Sequence, residues 1–241
     1  MSTYSRRIER SALPLLLVFT FSSGMASLAR DLPPIKTVGI IADAGNKISW
    51  KHIGFMAFSN EQNYLEFSGW QVDETLKAEL ESALKASYSL RPVTFTKGTI
   101  RPDIEKFSWH LPSPKENVRE HATLSDGQPL DAYLVVSPWK SEIFGTNQAV
   151  SGLGIVTKGN GTYLHAALEL SLVDGHTFED IDSCRLETPD VDINHMLTRE
   201  DLDAESYDAM TSEQKQAFEK GLKDFVHDGL AYCLKEMKLV P

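Results

Sequence analysis

From Thr162 to Val173 the even positions Leu164, Ala166, Leu168, Leu170 and Leu172 form an unbroken apolar row, while Tyr163, His165, Glu169 and Ser171 between them are mostly polar. A helix would spread these leucines around its circumference, whereas strict period-2 alternation is what a half-buried strand requires. Just upstream, Gly159-Asn160-Gly161 supplies an Asn-Gly pair, favoured in two-residue type I′ hairpin turns because both central residues need positive φ. With Asn160 and Gly161 as the turn, residue 159 faces 162. Thr157, Ile155 and Leu153 then fall opposite Leu164, Ala166 and Leu168, and both apolar rows share one face.

A one-sided sheet of that length needs a cover, and the end of the chain provides it. Thr211-x-x-Gln214 is a capping-box start, and Phe218, Leu222, Phe225, Val226, Cys233, Leu234 and Met237 repeat along one side of the helix that follows. Near the beginning, Thr37 to Ala42 and Lys47 to about Phe58 read as two strands joined by the turn Asp43-Ala44-Gly45-Asn46, which predicts a hairpin. A polar loop with Asn60, Gln62 and Asn63 leads to Gly69-Trp70. From Asp73, read as an N-cap, Leu76, Leu80, Ala83, Leu84 and Tyr88 recur at helical spacing until Pro92, and Val93 to Thr96 returns as a strand. The opening is therefore β-β-α-β.

Residues 97–130, broken by Pro102, Pro112, Pro114 and Pro129, read as an irregular insertion with a short helix around Lys115 to Ala122. The apolar run Asp131 to Val136 fits an inner strand covered on both faces. Asp174-Gly175 turns the chain into a further strand, Thr177 to Leu186, and a short helix is expected after Thr198. Together these assign an α+β class, with a mixed, largely antiparallel sheet, helices packed on one face, and a single domain over residues 30–241.

The first residues have a different character. Arg6, Arg7 and Arg10 precede an apolar run from Leu13 to Phe21 and small residues ending in Ser27-Leu28-Ala29, the three-part layout of a secretory signal peptide over residues 1–29 with cleavage after Ala29. Pro14, Ser22, Ser23 and Gly24 dilute this stretch below the roughly 20 apolar residues of a membrane span, so no stable span is expected after cleavage. The whole chain carries a formal −10, and removal of three Arg and one Glu leaves a formal −12. An acidic domain without a basic patch repels phosphate backbones, which excludes nucleic acid as an expected partner. Cys184 and Cys233 are the only cysteines. In an oxidising compartment they can pair; the alternative is two buried thiols in separate core positions.

Candidate chemistry is sparse. Asp190-x-Asp192-x-Asn194, with Asp201 in the twelfth position, offers the oxygen ligands of a calcium loop. His195 occupies the place where the sharp turn wants Gly, Asp201 replaces the usual bidentate Glu, and Pro189 argues against an entering helix, so a solvated acidic loop competes with calcium. Trp109 and His110 in the insertion are candidates to line a ligand pocket, against a reading as exposed loop residues. His165 and Glu169 share a strand face, but about 13 Å of strand separates them. Gly152-Leu153-Gly154 begins like a dinucleotide fingerprint and fails at Thr157. Gly152, Gly154 and Ala167 form a small-residue strip that lets a helix or another backbone approach. No nucleophile elbow, phosphate loop or H-E-x-x-H is present, and no cofactor other than calcium is indicated.

The segments Thr37-Val38-Gly39-Ile40-Ile41, Ile53-Gly54-Phe55 and Ser68-Gly69-Trp70, with the helix after Asp73, resemble the N-terminal half of uncharacterised secreted proteins of proteobacteria. The order of elements is similar to the mixed α/β envelope domains of the TolB amino-terminal and CsgG-like type. That resemblance implies a binding or assembly module, and the leader, the acidic surface and the lack of a catalytic constellation point to a periplasmic or secreted non-enzymatic one with an envelope protein as partner, while Trp109 and His110 point to a small-molecule binder. A hydrolase using carboxylates or a metal at Asp190, Asp192, Asn194 and Asp201 is the alternative from a different class.

Overall fold

The computed structural model describes residues 34–54, 60–66, 70–100, 114–124, 126–143, 148–158, 161–186, 197–198 and 207–241, all within the unit Leu32–Pro241. The chain runs β1 (Thr37–Ala42), β2 (Lys47–Ile53), β3 (Glu61–Glu66), α1 (Val72–Leu84), β4 (Ser89–Arg91), β5 (Val93–Thr94), α2 (Pro114–His121), β6 (Thr123–Leu124) and β7 (Ala132–Pro138). It continues through β8 (Lys140–Glu142), β9 (Ala149–Lys158), β10 (Gly161–Asp174), β11 (Asp180–Arg185), β12 (Leu197–Thr198) and α3 (Ser212–Glu236).

The long alternating strand β10 is the spine. Its first half, Gly161 to Ala167, pairs with β9, and its second half, Leu168 to Asp174, pairs with β7, so two groups of strands meet along one strand. The order is β3-β2-β9-β10-β7-β1-β4, with β11 and β12 also on β10 and β8 on β9. Among the described residues, parallel pairing is confined to β1 with β4, β1 with β7 and β2 with β9. The class is α+β with a mixed sheet.

Leu164, Ala166, Leu168, Leu170 and Leu172 are buried in one cluster with Val72, Leu76, Leu80 and Leu84 of α1 and Phe218, Leu222, Phe225 and Leu230 of α3. The two longer helices thus cover the leucine face, and burial of these side chains is the main driving force holding the layers together. The expectation of helices on one face alone fails at α2. Its Val118 packs with Ile41, Tyr133, Val135 and Val173, the opposite pleat of the same strands, and supplies the second cover that lets every residue of β7 be buried. α3 begins with the expected capping box: Thr211 Oγ1 accepts from Gln214 N at 3.2 Å and Gln214 Oε1 accepts from Thr211 N at 2.9 Å.

Four expectations are corrected. β1 and β2 do not form a hairpin; β9, β10 and β7 lie between them, because β1 finds parallel partners on both sides. The residues around Gln62 and Asn63 are not a loop but the strand β3, antiparallel to β2; their polar side chains are exposed at the outer position of the order, where no apolar alternation is needed. Asp73 is not the N-cap, a position taken by Gln71 without a side-chain cap bond. The β9–β10 hairpin pairs Lys158 with Gly161, Ile155 with Leu164 and Leu153 with Ala166, two residues from the expected register. A two-residue shift preserves side-chain parity, so the apolar rows still share a face. The observed register puts buried His165 opposite Gly154, where the expected one would have put it opposite Val156.

No helix among the described residues is long and apolar enough to cross a membrane. The signal peptide 1–29 with its cleavage point at Ala29, the helix after Thr198, and the turn residues 159–160 lie outside the described residues.

Candidate functional site

Cys184 on β11 and Cys233 on α3 form a disulfide, with S–S 2.02 Å and Cα atoms 5.4 Å apart. It ties the strand beyond β10 to the covering helix, which makes the paired alternative the observed one. Trp109 and His110, and the calcium candidates Asp190, Asp192, Asn194 and Asp201, lie outside the described residues. Among the described residues no three His, Cys, Asp or Glu side chains are grouped to hold a metal ion.

What the fold does bring together is a crevice of about 300 Å³ lined by Asp43, Gly45, Asn46, Trp70, Gln71, Val72, Asp73, Glu74, Lys97 and Gly98. It forms where β1 ends, where α1 begins, and where the chain leaves β5. Ligands of open sheets with parallel strands characteristically bind outside the carboxyl ends of those strands, and β1 and β4 run parallel here.

Two carboxylates build the crevice from below. Asp43 follows β1, is almost wholly buried, and accepts from Gly98 N at 2.8 Å and Ile100 N at 3.0 Å, so it fastens the turn after β5 to the end of β1. Gly98 has φ +84°, a left-handed conformation suited to glycine. Asp73 Oδ1 accepts from Gly45 N at 2.9 Å, fastening the β1–β2 turn to the first turn of α1. Burial pushes the Asp73 carboxyl above its ordinary value, and the charge of Asp43 adds to this against the Gly45 N–H, which pulls the other way.

Lys97 bridges the rim, hydrogen-bonded to Glu74 and 3.8 Å from Asp73. Its pairing with Glu74 raises the Lys97 ammonium and lowers the Glu74 carboxyl. Trp70 is the apolar wall, 3% exposed, with its Nε1 lacking a hydrogen-bond partner among the described residues. Three carboxylates face one ammonium, so the crevice suits a polar ligand carrying donors or positive charge, although a helix N-terminus by itself would favour an anion.

A second polar group lies on the face opposite the leucines. Ser49 on β2, Gly154 on β9 and His165 on β10 are direct register partners across three strands. His165 Nδ1 lies 3.1 Å from the carbonyl oxygen of Gly152, which can only accept, so Nδ1 carries the proton, and the Ser49 hydroxyl donates to Nε2 at 2.9 Å. Ser49 and His165 are each 1% exposed. Burial lowers the His165 ring to about 3, so it is neutral near pH 7. Two residues along β2, Lys51 Nζ donates to the Ala149 carbonyl at 2.6 Å, and burial, aided by the Lys140 charge, lowers this ammonium as well.

At Gly154 the small-residue strip does let another backbone approach, that of Ser49 on β2, and the His165 ring occupies the space beside it, while Ala167 packs with Ile53, Ile143, Val150 and Val156. A Cβ on Gly154 would come within 2.7 Å of His165 Nε2 and 2.1 Å of the Ser49 carbonyl oxygen. Reading along the sequence finds neither group of residues. Asp43 looks like a turn residue and Asp73 like a cap, and Ser49 and His165 meet only through pairings of strands distant in the chain. Comparison with protein-family models finds no match, and comparison with curated proteins finds none either.

Proposed function

We propose that the chain is an exported, non-enzymatic binding or assembly module of the bacterial cell envelope. The observation that carries this reading is the Cys184–Cys233 bridge, since disulfides persist in oxidising compartments and are rare in the cytosol. The arginine-led apolar leader up to Ala29, the acidic charge balance and the likeness to TolB amino-terminal and CsgG-like domains support it further. The non-enzymatic part rests on what the nucleophile-like pair found among the described residues is doing. Ser49 donates to His165 as an activated nucleophile would, but both are sealed against Gly154 in the sheet, where no substrate atom reaches Oγ.

Fractionation of cells expressing the full chain, with thiols alkylated before lysis, tests the reading. The expected result is a protein shortened by the leader, outside the cytoplasm, with both cysteines protected until reduction. A full-length cytoplasmic protein with two alkylatable thiols overturns it.

The crevice favours a second reading, a small-molecule-binding protein. Its volume of about 300 Å³ suits a small polar ligand, and Asp73 and Glu74 select for donors and positive charge. A melting screen with small amines and polyols is expected to raise the Tm of the wild type and not that of Glu74→Ala. Absence of any shift across such compounds removes this reading.

A further inference from the structure

We propose that the crevice at the start of α1 takes a small primary ammonium that also carries a neutral oxygen, as an amino alcohol does, and that the Lys97 ammonium holds its place until it arrives. The inference rests on the small-molecule reading and gives that ligand a chemical class.

The chain itself shows where an ammonium sits. Lys97 Nζ donates to Glu74 and stands 3.8 Å from Asp73, and the charges of Asp73, Glu74 and Asp43 all favour its charged form. Among the described residues no such side chains are grouped to hold a metal ion, so an N–H donor is the cation this arrangement suits. Lys97 makes only part of the contact, because 3.8 Å to Asp73 is beyond hydrogen-bond reach. An ammonium free of the lysine stem, with three N–H donors, can serve both carboxylates.

What holds the loop makes Lys97 a place-holder and not a strut. Gly98 N and Ile100 N donate to Asp43, and Thr99 N and Oγ1 donate to the Thr96 carbonyl, so the backbone around Lys97 is fastened without its side chain. The Lys97 and Glu74 side chains are 62% and 53% exposed. An exposed pair of this kind contributes little to stability, and its exchange for a ligand ammonium costs correspondingly little.

A group independent of the carboxylates calls for the oxygen. Trp70 lines the crevice and is 3% exposed, yet its Nε1–H has no acceptor among the described residues. A buried donor left unpaired is costly, and a ligand oxygen relieves that cost. The oxygen is neutral, because a carboxylate or phosphate would enter against Asp43, Asp73 and Glu74. Lys223 of α3 stands 5.6 Å over the indole ring, so one ring face already has a cation and the ligand charge belongs with the carboxylates.

Titration of the purified, oxidised protein with 2-aminoethanol, n-propylamine and glycerol, followed by NMR, tests this in the wild type, Lys97→Met and Glu74→Gln. The wild type is expected to bind 2-aminoethanol more tightly than n-propylamine, which lacks the oxygen, and than glycerol, which lacks the ammonium. Lys97→Met should bind it about fivefold more tightly, the factor an exposed ion pair is worth, and Glu74→Gln more weakly. The Trp70 indole N–H resonance should move downfield with 2-aminoethanol and not with n-propylamine. Equal or weaker binding by Lys97→Met, equal affinity for the two amines, or an unmoved indole resonance overturns the proposal and leaves the small-molecule reading standing. No binding of any probe to any of the three proteins overturns both.

Discussion

Ser49 and His165 stand 116 positions apart in the chain and 2.9 Å apart in the fold, joined across the bare backbone of Gly154. The pair shows how this sheet obtains its register, because only a glycine opposite His165 leaves room for the ring. Gly154→Ala is therefore expected to destabilise by about 3 kcal/mol or more, since the nearest obstacle is the Ser49 carbonyl oxygen, backbone that cannot rotate away. Gly127→Ala is the control. Gly127 has φ +65° and open space around it, so only the left-handed conformation is penalised, by about 1 kcal/mol. Urea unfolding of the three proteins measures both effects.

Removing the bridge should cost more than any single cap or hydrogen bond. Cys184 and Cys233 are 49 positions apart, and the chain-entropy relation for a loop of that length gives about 4 kcal/mol. The double variant Cys184→Ala, Cys233→Ala, or the wild type under reductant, is expected to melt well below the oxidised protein. Equal melting temperatures would mean that the loop is held as firmly without the bond.

The crevice makes a prediction whose sign is opposite to that of the less buried, hydrogen-bonded carboxylates Asp131 and Asp174, which are lowered. Asp73 has a raised carboxyl, so the folded state prefers it neutral, and its contribution to stability is present below about 4 and lost as pH rises through the folded value. Asp73→Asn keeps an acceptor for Gly45 N and removes the charge. It is expected to melt higher than the wild type at pH 7, with the difference vanishing at pH 3.5. Asp73→Ala, which strips Gly45 N of its partner, should melt lower than Asp73→Asn at both.

At the start of α3 a smaller effect is expected. Thr211→Ala removes one half of a reciprocal cap and should cost about 1 kcal/mol, measurable as a shift in urea midpoint at unchanged slope.

How much of this was legible along the chain follows from how local each feature is. The alternation in residues 162–173, the capping box at Thr211 and Gln214, and the buried run from Ala132 to Val136 depend on neighbours a few positions away, and the fold uses them as read. The separation of β1 from β2 by three strands depends on parallel partners that arrive some 50 to 100 residues later, Ser89 and Ala132 beside Thr37 and Val38. Polar β3 lacks the alternation that marks a strand, because its outward side chains need no core. The hairpin register read from Asn160-Gly161 is two positions off, because a turn signal carries no information about distant pairs such as His165 with Gly154. Asp43, Asp73 and Lys97 converge only once β1, α1 and β5 are in place, so the crevice had no sequence signature.

The exported binding-module reading is tested most directly by affinity capture of the tagged full chain from crosslinked cell envelopes, with mass spectrometry of what comes with it. The account predicts that the same envelope protein is recovered reproducibly, and is lost when exposed side chains are altered in variants that still fold and keep the Cys184–Cys233 bridge. Recovery of the protein alone, or of partners unchanged by every surface variant, would contradict it.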